Sequence, residues 1–224
     1  MEVLEGQELT TDMYIPYSLN IFKGEGGNRD FGYLVGAYAG DGSFDEDTAV
    51  IFSLSQEGVK NEKVVSELIR IAKSYFGANS ELFPSEETKL LTLKLYSKAL
   101  VGMCKEFVVG KQREKHYSPK VFEMSEEFRN GVIEGHLDTD GGNRHRIYTS
   151  SLSMVYSLNM LTSTLGTTTS ISIDDRTNRL GTEPNYAVLI YQLNRNSYGK
   201  IWFKSEDKLW IKIKSIEPLS KSTA

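Results

Sequence analysis

The chain has 224 residues, of which 39% are hydrophobic and 25% charged, and its formal net charge is −4 at pH 7. These values are typical of a globular protein long enough for one large domain or two small ones. No run of 18 apolar residues occurs, so no membrane association is expected, and the single Cys104 excludes an internal disulfide or a cysteine-rich zinc site. The acidic N-terminus lacks an apolar signal core, which predicts an intracellular protein.

The small net charge conceals an asymmetry. Residues 1–110 contain 10 Lys and Arg against 17 Asp and Glu, a balance of −7, whereas residues 111–224 contain 16 against 13, a balance of +3. An acidic chain argues mildly against nucleic-acid binding, but a basic second half is compatible with a local basic surface.

Short strands are predicted within residues 1–22, with a turn at Tyr14-Ile15-Pro16, and the glycine-rich segment 22–30 is predicted to be a linker or loop. Asp30 offers an N-cap to a helix that runs to about residue 40. Apolar periodicity then predicts a strand at 48–55, a helix at 59–77, a strand at 89–97 and a helix at 98–110.

The same order of elements recurs in the second half in a shorter form. The pattern predicts a helix at about 126–140, a strand at 145–151, a helix at 153–165, and strands at 169–174 and 186–194. Residues 208–219 alternate cleanly and predict a final strand outside the repeat. An internal repeat therefore organises the chain.

The first helix of each copy ends in the same pattern, "LVGAYAGDG" at 34–42 and "IEGHLDTDG" at 133–141. Each contains an aspartate followed by glycine, Asp41 or Asp140, with further glycines five and nine residues before it. Glycines four apart lie on one helical face, and each costs about 0.5–1 kcal/mol relative to alanine inside a helix. We therefore expect the two helices to pack with their backbones in close approach.

Parallel packing of these helices would place Asp41 and Asp140 side by side. A helix C-terminus is already partly negative and neighbouring carboxylates repel, so ionisation is disfavoured unless a cation lies between them. A hard divalent cation held by carboxylates, waters and substrate phosphate would resolve this conflict. One Asp-Gly alone is usually a turn, but two matched units 99 residues apart favour a site. An EF-hand is excluded, because Gly142 and Thr149 occupy the fifth and twelfth positions counted from Asp138.

The two segments resemble the motifs of the LAGLIDADG homing endonucleases, specifically the single-chain, two-motif kind found inside inteins. The aspartate that serves this family as metal ligand is present in both copies, as Asp41 and Asp140. The resemblance covers residues 30–204 and implies four regions. These are an intein-like lead-in of strands and linker at 1–29, a first half at 30–124, a second half at 125–204 and an intein-like C-terminal strand at 205–224.

The chain also departs from the family. Ala37 and His136 replace the usual leucine at the fourth motif position, and His136 is interpreted as a helix-surface or interface residue. The chain begins with Met1 and ends with Lys221-Ser222-Thr223-Ala224, without the residues that protein splicing requires, so we expect no splicing. The second half shows no counterpart of the helix at 98–110.

The resemblance implies an α+β fold, a pseudo-twofold tandem αββαββ repeat whose two curved antiparallel sheets form a DNA-binding saddle around the motif helices. It implies a monomer that makes a staggered double-strand break with short 3′ overhangs in double-stranded DNA, with Mg²⁺, or Mn²⁺ in its place, as cofactor. Asp41 and Asp140 would hold the metal with help from the carbonyls of Gly40 and Thr139.

Basic residues and polar strand faces would complete such a site. In related inteins a lysine precedes an Ile-Pro pair, which suggests Lys115 before Ser118-Pro119 here, with a spacing one residue longer, and Lys200 in the second half. The predicted DNA contacts are Lys94, Tyr96, Arg144, Arg146, Tyr148 and Gln192. Polar strand faces of this kind would equally suit a solvent-exposed sheet.

Two other functions stay open. A non-cleaving LAGLIDADG-fold nucleic-acid-binding protein, either an RNA-splicing cofactor or a DNA-binding regulator, would use the sheets without cutting. Such proteins commonly lose a motif aspartate, and the presence of both favours cleavage. A carboxylate enzyme acting on a small substrate would leave the repeat unexplained, and its substrate affinity would not fall steeply with salt as DNA affinity does.

Overall fold

The structure is a computed structural model that describes residues 9–19, 22–55, 59–142, 145–173, 185–191, 197–198, 201–205 and 208–217. The first half forms β1 (Tyr14–Ser18), α1 (Arg29–Asp41), β2 (Gly42–Asp45), β3 (Ala49–Ser55), α2 (Val59–Phe76), β4 (Asn79–Ser85), β5 (Leu90–Tyr96) and α3 (Lys98–Phe107). A connecting segment contains β6 (Val108–Val109), a 3₁₀ turn (Gln112–Glu114), β7 (His116–Tyr117) and α4 (Pro119–Glu123). The second half forms α5 (Glu126–Thr139), β8 (Gly141–Gly142), β9 (Arg146–Thr149), α6 (Leu152–Thr164), β10 (Thr169–Ile173), β11 (Tyr186–Ile190), β12 (Ser197–Tyr198), β13 (Trp202–Ser205) and β14 (Lys208–Lys212).

The two halves have the same topology. The strand order is β2-β3-β5-β4 in the first sheet and β8-β9-β11-β10 in the second, and all neighbouring strands are antiparallel. In each half one helix, α1 or α5, precedes the first strand, and another, α2 or α6, lies in sequence between the second and third strands. The predicted α+β class and tandem αββαββ repeat are confirmed.

Helices α1 and α5 pack in parallel at the centre of the repeat, and glycines set their separation. A Cβ atom at any of four glycines would lie within 3.0 Å of a backbone atom of the facing helix; these are Gly32, Gly36, Gly131 and Gly135. A side chain at these positions would therefore force the helices apart. The predicted close backbone approach is confirmed, and it explains glycines that a helix interior otherwise disfavours.

Asparagine and serine side chains cap the N-termini of α1 and α5. Asn28 accepts a hydrogen bond from the backbone N–H of Phe31 at 2.9 Å and caps α1. The expectation of Asp30 as the cap was wrong by two residues, because Asp30 lies in the first helical turn and pairs instead with Arg70 at 2.9 Å. Ser125 caps α5 in the same way as Asn28 caps α1, by accepting from Phe128.

Alternation along the central strands decides which face of the first sheet is buried. Phe52 and Leu54 of β3 and Leu93 and Leu95 of β5 are buried, and the residues between them are partly or fully exposed. The buried side packs against the helices and the other side faces solvent. The first sheet therefore presents a polar face to solvent.

A third sheet lies outside the repeat, with strand order β1-β14-β13-β12. It has a small hydrophobic cluster of its own, formed by Leu19, Trp202 and Leu209. The predicted boundary at residue 204 falls within β13, a strand that pairs with β14. The four regions predicted from the sequence stay a prediction.

Other local features also differ from the prediction, and the final strand predicted at 208–219 ends at Lys212. Tyr14-Ile15-Pro16 is part of β1 rather than a turn, and its proline is tolerated because β1 is an edge strand. Strand β4 was not predicted, since it is exposed along almost its whole length and contains Pro84, again at a sheet edge. Helix α3 ends at Phe107 rather than residue 110, where the chain turns into β6.

Among the described helices none combines the length and the apolar character that a membrane crossing requires.

Candidate metal centre and nucleic-acid interface

The two motif aspartates meet where α1 and α5 end. Asp41 is the last residue of α1, and Asp140 is the C-cap of α5, with its N–H bonded to the carbonyl of His136 at 2.9 Å. A Cβ atom on Gly40 would lie 3.3 Å from the Cβ atom of Asp140, so the two helix ends are in contact. Both aspartates line one cleft of roughly 1260 Å³.

The environment of this pair disfavours two negative charges. Burial raises the pKa of Asp41 to about 6, and the nearby Lys115 opposes the shift. Burial also raises the pKa of Asp140 to about 7, with a further contribution from the charge of Asp41 and again opposition from Lys115. The predicted repulsion between the two carboxylates is thus present, and the pair would gain from an added cation.

Lys115 lies at the same place. Its Nζ donates hydrogen bonds to the carbonyls of Tyr38 at 2.6 Å and Gly42 at 2.9 Å, and it lies 4.6 Å from the centre of the Tyr38 ring. Burial lowers the pKa of Lys115 to about 8, and the charges of Asp140 and Asp41 limit that shift. The structure therefore brings the lysine predicted for the first half to the end of α1.

The segment that carries Lys115 is fixed by the second half of the protein. Ser151, the N-cap of α6, donates its hydroxyl to the carbonyl of Lys115 at 2.7 Å. Two residues further on, the N–H of Tyr117 donates to Ser157 Oγ at 3.3 Å. Contacts from both halves thus position this lysine.

His136 of α5 is buried against the connecting segment, with 1% of its surface exposed. Its Nδ1 lies 2.7 Å from the hydroxyl of Tyr117, and its Nε2 lies 4.0 Å from Oδ2 of Asp140. Burial lowers the pKa of His136 to about 3 and raises that of Tyr117 well above its ordinary value, so the ring is neutral and the phenol keeps its proton. Tyr117 and His136 thus share one hydrogen bond between two neutral groups, and its direction depends on the imidazole tautomer.

The residues present fit a divalent cation bound by few protein ligands. Gly40 and Thr139 precede the two aspartates in the last helical turns, where backbone carbonyls lack intrahelical partners. In the described ranges no cluster of three or more His, Cys, Asp or Glu side chains could hold an ion. Two carboxylates completed by carbonyls, waters and phosphate oxygens are the ligand set that Mg²⁺ accepts.

The predicted DNA contacts of the first half lie on the solvent side of the first sheet, but both have acidic partners. Lys94 donates to Asp45 at 2.8 Å, and the hydroxyl of Tyr96 donates to Glu81 at 2.8 Å. Neither residue lines the cleft that contains the aspartates. Lys94 and Tyr96 would therefore have to give up their bonds to Asp45 and Glu81 in order to contact DNA.

In the second half, Arg146 and Tyr148 lie on one face of β9, as alternation predicts. Tyr148 lines the cleft. Arg146 is half-buried, and its Nε has no hydrogen-bond partner in the described part of the chain. The other predicted residues, Arg144, Gln192 and Lys200, lie outside the described residues.

Three basic residues of the cleft were not predicted from the sequence: Lys105, Lys111 and Arg113. Two of them belong to "GKQREK" at 110–115, where basic residues occupy every second position. This short basic run leads directly into Lys115 and was the available signal. Lys105 gave no such signal, because it lies in α3 and pairs with Asp47.

No protein-family model matches the sequence. Two curated relatives are 26% identical to it over 121 residues, the ribonucleoside-diphosphate reductase NrdEB subunit alpha of Bacillus subtilis (strain 168) and that of Bacillus phage SPbeta. The match covers 50% of this chain but spans only 11% of the length of the reductase subunit.

Solved structures of the homing endonuclease I-DmoI are similar in fold. Its mesophilic variants match with a TM-score of 0.51 and 15% identity over 73% of this chain and 88% of theirs. The complex of I-DmoI with DNA and Mn matches with a TM-score of 0.52 and 14% identity, over 73% and 89%. The complex with DNA and Ca gives 0.51 and 15%, over 73% and 83%. The protein thus has the α+β fold of I-DmoI.

Proposed function

We propose that the protein is a site-specific endonuclease that makes a divalent-metal-dependent, staggered double-strand break with short 3′ overhangs in a long DNA recognition site. The observation that carries this proposal is the meeting of Asp41 and Asp140, from equivalent helices of the two halves, in one cleft beside Lys115. A similar fold in I-DmoI, whose structures include complexes with DNA and Mn or Ca, supports it.

The proposed chemistry is phosphodiester hydrolysis. A divalent cation, Mg²⁺ or Mn²⁺, would supply the activated water and the charge neutralisation that this reaction needs. Asp41 and Asp140 would hold the cation with the carbonyls of Gly40 and Thr139. The protein acts as a monomer whose pseudo-twofold symmetry matches the symmetry of the two DNA strands.

Lys115 acts at the phosphate of one strand. Its carbonyl partners fix the ammonium beside the carboxylate pair, and a lysine has three donors, of which these bonds use two. The remaining donor can bond a phosphate oxygen or an attacking water. We assign the corresponding role in the second half to Lys200.

The proposed binding of duplex DNA is supported by basic side chains at the cleft, which stand beside the acidic residues that would hold the cation. Lys105, Lys111 and Arg113 attract phosphates without reading sequence. Sequence would be read from the polar sheet faces, through Arg144, Arg146, Tyr148 and Gln192 in the second half and through Lys94 and Tyr96 in the first. Affinity should accordingly fall steeply with salt, unlike that of an enzyme acting on a small substrate.

We further propose an intein origin and an intracellular location. The third sheet joins strands from both ends of the described chain and lies outside the repeat, as remnants of a splicing domain would. A match of half of this chain to 11% of a much larger reductase subunit is what an element inserted into an unrelated host protein would give.

The proposal is tested by selecting cleaved molecules from a randomised DNA library with Mg²⁺, in parallel for the parent and Asp140→Asn. The parent alone should recover one extended site. On that site, Asp41→Asn and Asp140→Asn should each abolish double-strand cleavage with little loss of DNA binding.

Asp138→Asn is the matched control, because it makes the same change in the same helix at a residue bonded to Tyr33 at 2.9 Å, outside the cleft lining. It should cut at the parent's rate. Retention of one sequence without cutting in Mg²⁺ or Mn²⁺ would replace this proposal with the non-cleaving nucleic-acid-binding alternative. Full cutting by Asp140→Asn would refute the paired-carboxylate mechanism.

A further inference from the structure

The outer face of the third sheet is not used by the proposed nuclease site. In an antiparallel sheet, residues paired across strands share a face. Trp210 of β14 pairs with Phe203 on one side and Pro16 on the other, and Tyr14 pairs with Lys212. These residues therefore share one face, which we call the aromatic face.

Aromatic rings lie next to each other on this face. The rings of Phe203 and Trp210 are nearly parallel, with centroids 6.0 Å apart and an interplanar angle of 8°. Tyr14 meets Phe203 edge-on at 5.1 Å. Phe203 is 37% exposed and Trp210 is half-buried, so ring surface remains accessible to solvent.

Lysines occupy alternate positions on either side of Trp210, along β14 and the two residues that follow it. The segment 208–214, "KLWIKIK", places Lys208, Trp210 and Lys212 on the aromatic face and contains no acidic residue. Asp12 approaches Lys212 at 3.6 Å, but its side chain is 93% exposed, which permits it to move away. A polyanion could therefore replace this surface ion pair, which contributes little stability.

The opposite face of the sheet is the one that anchors it to the repeat. Tyr17 bonds to Asn159 of α6 at 3.3 Å, and Lys204 donates to the carbonyl of Gly166 at 3.3 Å. Residues of the aromatic face are absent from the described lining of the aspartate cleft. The aromatic face thus points away from the proposed cleavage site and is open to a separate partner.

We propose that the aromatic face binds single-stranded nucleic acid. Accessible ring faces stack on unpaired bases, and lysines spaced along the neighbouring positions pair with successive phosphates. A neutral or basic protein ligand would leave the lysines without countercharge, an acidic one brings no stack of planar bases for the rings, and an intact duplex keeps its bases paired. Single strands supply both groups, so they fit the whole surface.

The test uses Trp210 as its own reporter. The chain has two tryptophans, and Trp202→Phe leaves Trp210 alone. The indole N–H of Trp202 has no hydrogen-bond partner in the described part of the chain, so the change breaks no bond there, and the variant is used once its circular dichroism matches the parent's. In an Asp140→Asn background, which avoids cleavage, an oligothymidylate of about 12 nucleotides is titrated at low salt. Stacking on Trp210 should quench its emission, and binding should weaken as salt rises.

Two sets of variants separate this proposal from a structural role. Lys208→Gln with Lys212→Gln should lower the salt slope of log affinity by about 1.4, on the basis of about 0.7 per phosphate contact. Phe203→Leu should weaken binding about 5- to 150-fold, provided that its circular dichroism and thermal midpoint match the parent's. The matched control is Lys63→Gln with Lys73→Gln, two exposed lysines of α2, which should leave the affinity unchanged.

The proposal is overturned if Trp210 emission does not respond, if the α2 control weakens binding as much as the β14 pair, or if a random duplex competes as well as the single strand. An unresponsive Trp210 would indicate that the aromatic cluster only stabilises the sheet. Competition by duplex would indicate that the aromatic face belongs to the duplex-binding site. Because the assay measures emission in a variant unable to cut, failure of the nuclease proposal leaves its result interpretable.

Discussion

Replacing Gly36 with alanine should separate the two central helices. A methyl group there would lie 2.8 Å from the backbone nitrogen of His136 and closer still to the carbonyl oxygen of Val132, whereas ordinary van der Waals contact begins at 3.4 Å. The obstacle is backbone, so no rotamer change relieves it. The helices must therefore move apart by about 0.6 Å to relieve the nitrogen contact and by more to relieve the oxygen contact.

Two opposing terms set the cost. Alanine gains about 0.5–1 kcal/mol over glycine inside a helix, and overpacking costs about 1–3 kcal/mol, sometimes more. We expect the second term to win, since the clash involves both helices, and urea unfolding should report a net loss of about 1–2 kcal/mol. Displacement of reacting groups by about 1 Å can cost about a hundredfold in rate, so Mg²⁺-dependent cleavage should fall by about that factor.

Gly102→Ala is the matched control. Gly102 lies inside α3, and a Cβ atom there meets nothing within 4 Å. The same substitution should therefore stabilise the protein by about 0.5–1 kcal/mol and leave cleavage unchanged. If Gly36→Ala gained stability like Gly102→Ala and still cut normally, the helices would not be in backbone contact and the reasoning would fail.

Two further predictions concern the carboxylate pair and its support. Because the folded-state pKa values of Asp41 and Asp140 are raised to about 6 and 7, their protonation stabilises the metal-free protein at low pH, and this stabilisation is lost as pH rises towards 7. His136 has the opposite effect below pH 6.5, because burial lowers its pKa. The unfolding free energy of the parent is therefore compared with that of Asp140→Asn, both with a chelator present, and the parent's advantage should fall from pH 4 to pH 7. A difference that does not change with pH would contradict the raised pKa of Asp140. Tyr117→Phe should cost about 1–3 kcal/mol by leaving the buried imidazole unpaired, whereas Tyr117→Phe with His136→Leu should be nearly neutral in thermal unfolding, and equal costs would contradict the pairing.

The sequence predicted the centre of the molecule well because its signals there are local. Spacing of glycines along one helix specifies which face must approach another backbone, and an aspartate just before a glycine marks where that helix ends. The repeat of this pattern then relates Asp41 to Asp140 without knowledge of the path between them. Strand alternation likewise placed Lys94 and Arg146 on polar faces.

The missed features depend on partners far away in the chain. Strand alternation places Lys94 on the solvent face, but its ion pair with Asp45 comes from the register of three neighbouring strands. Helical periodicity gives the position of His136, but its hydroxyl partner belongs to the connecting segment that crosses the helix. Strand β4 carries no burial pattern at all, since it lies at an edge with both faces exposed.

The same packing that defines the site also makes it unfavourable in isolation. Glycines bring α1 and α5 together at a cost in helix propensity. The helix ends then place two carboxylates beside a buried lysine, and the pKa values of all three groups shift towards pH 7. The buried charges of this site carry desolvation and repulsion terms that oppose folding, whereas the glycines permit the packing of α1 against α5. A site whose charges are poorly satisfied within the protein, in a cleft open to solvent, is suited to a cation and a phosphate that satisfy them together. The unfavourable charges of Asp41, Asp140 and Lys115 are therefore what the proposed metal-dependent site would use, and packing alone would not select them.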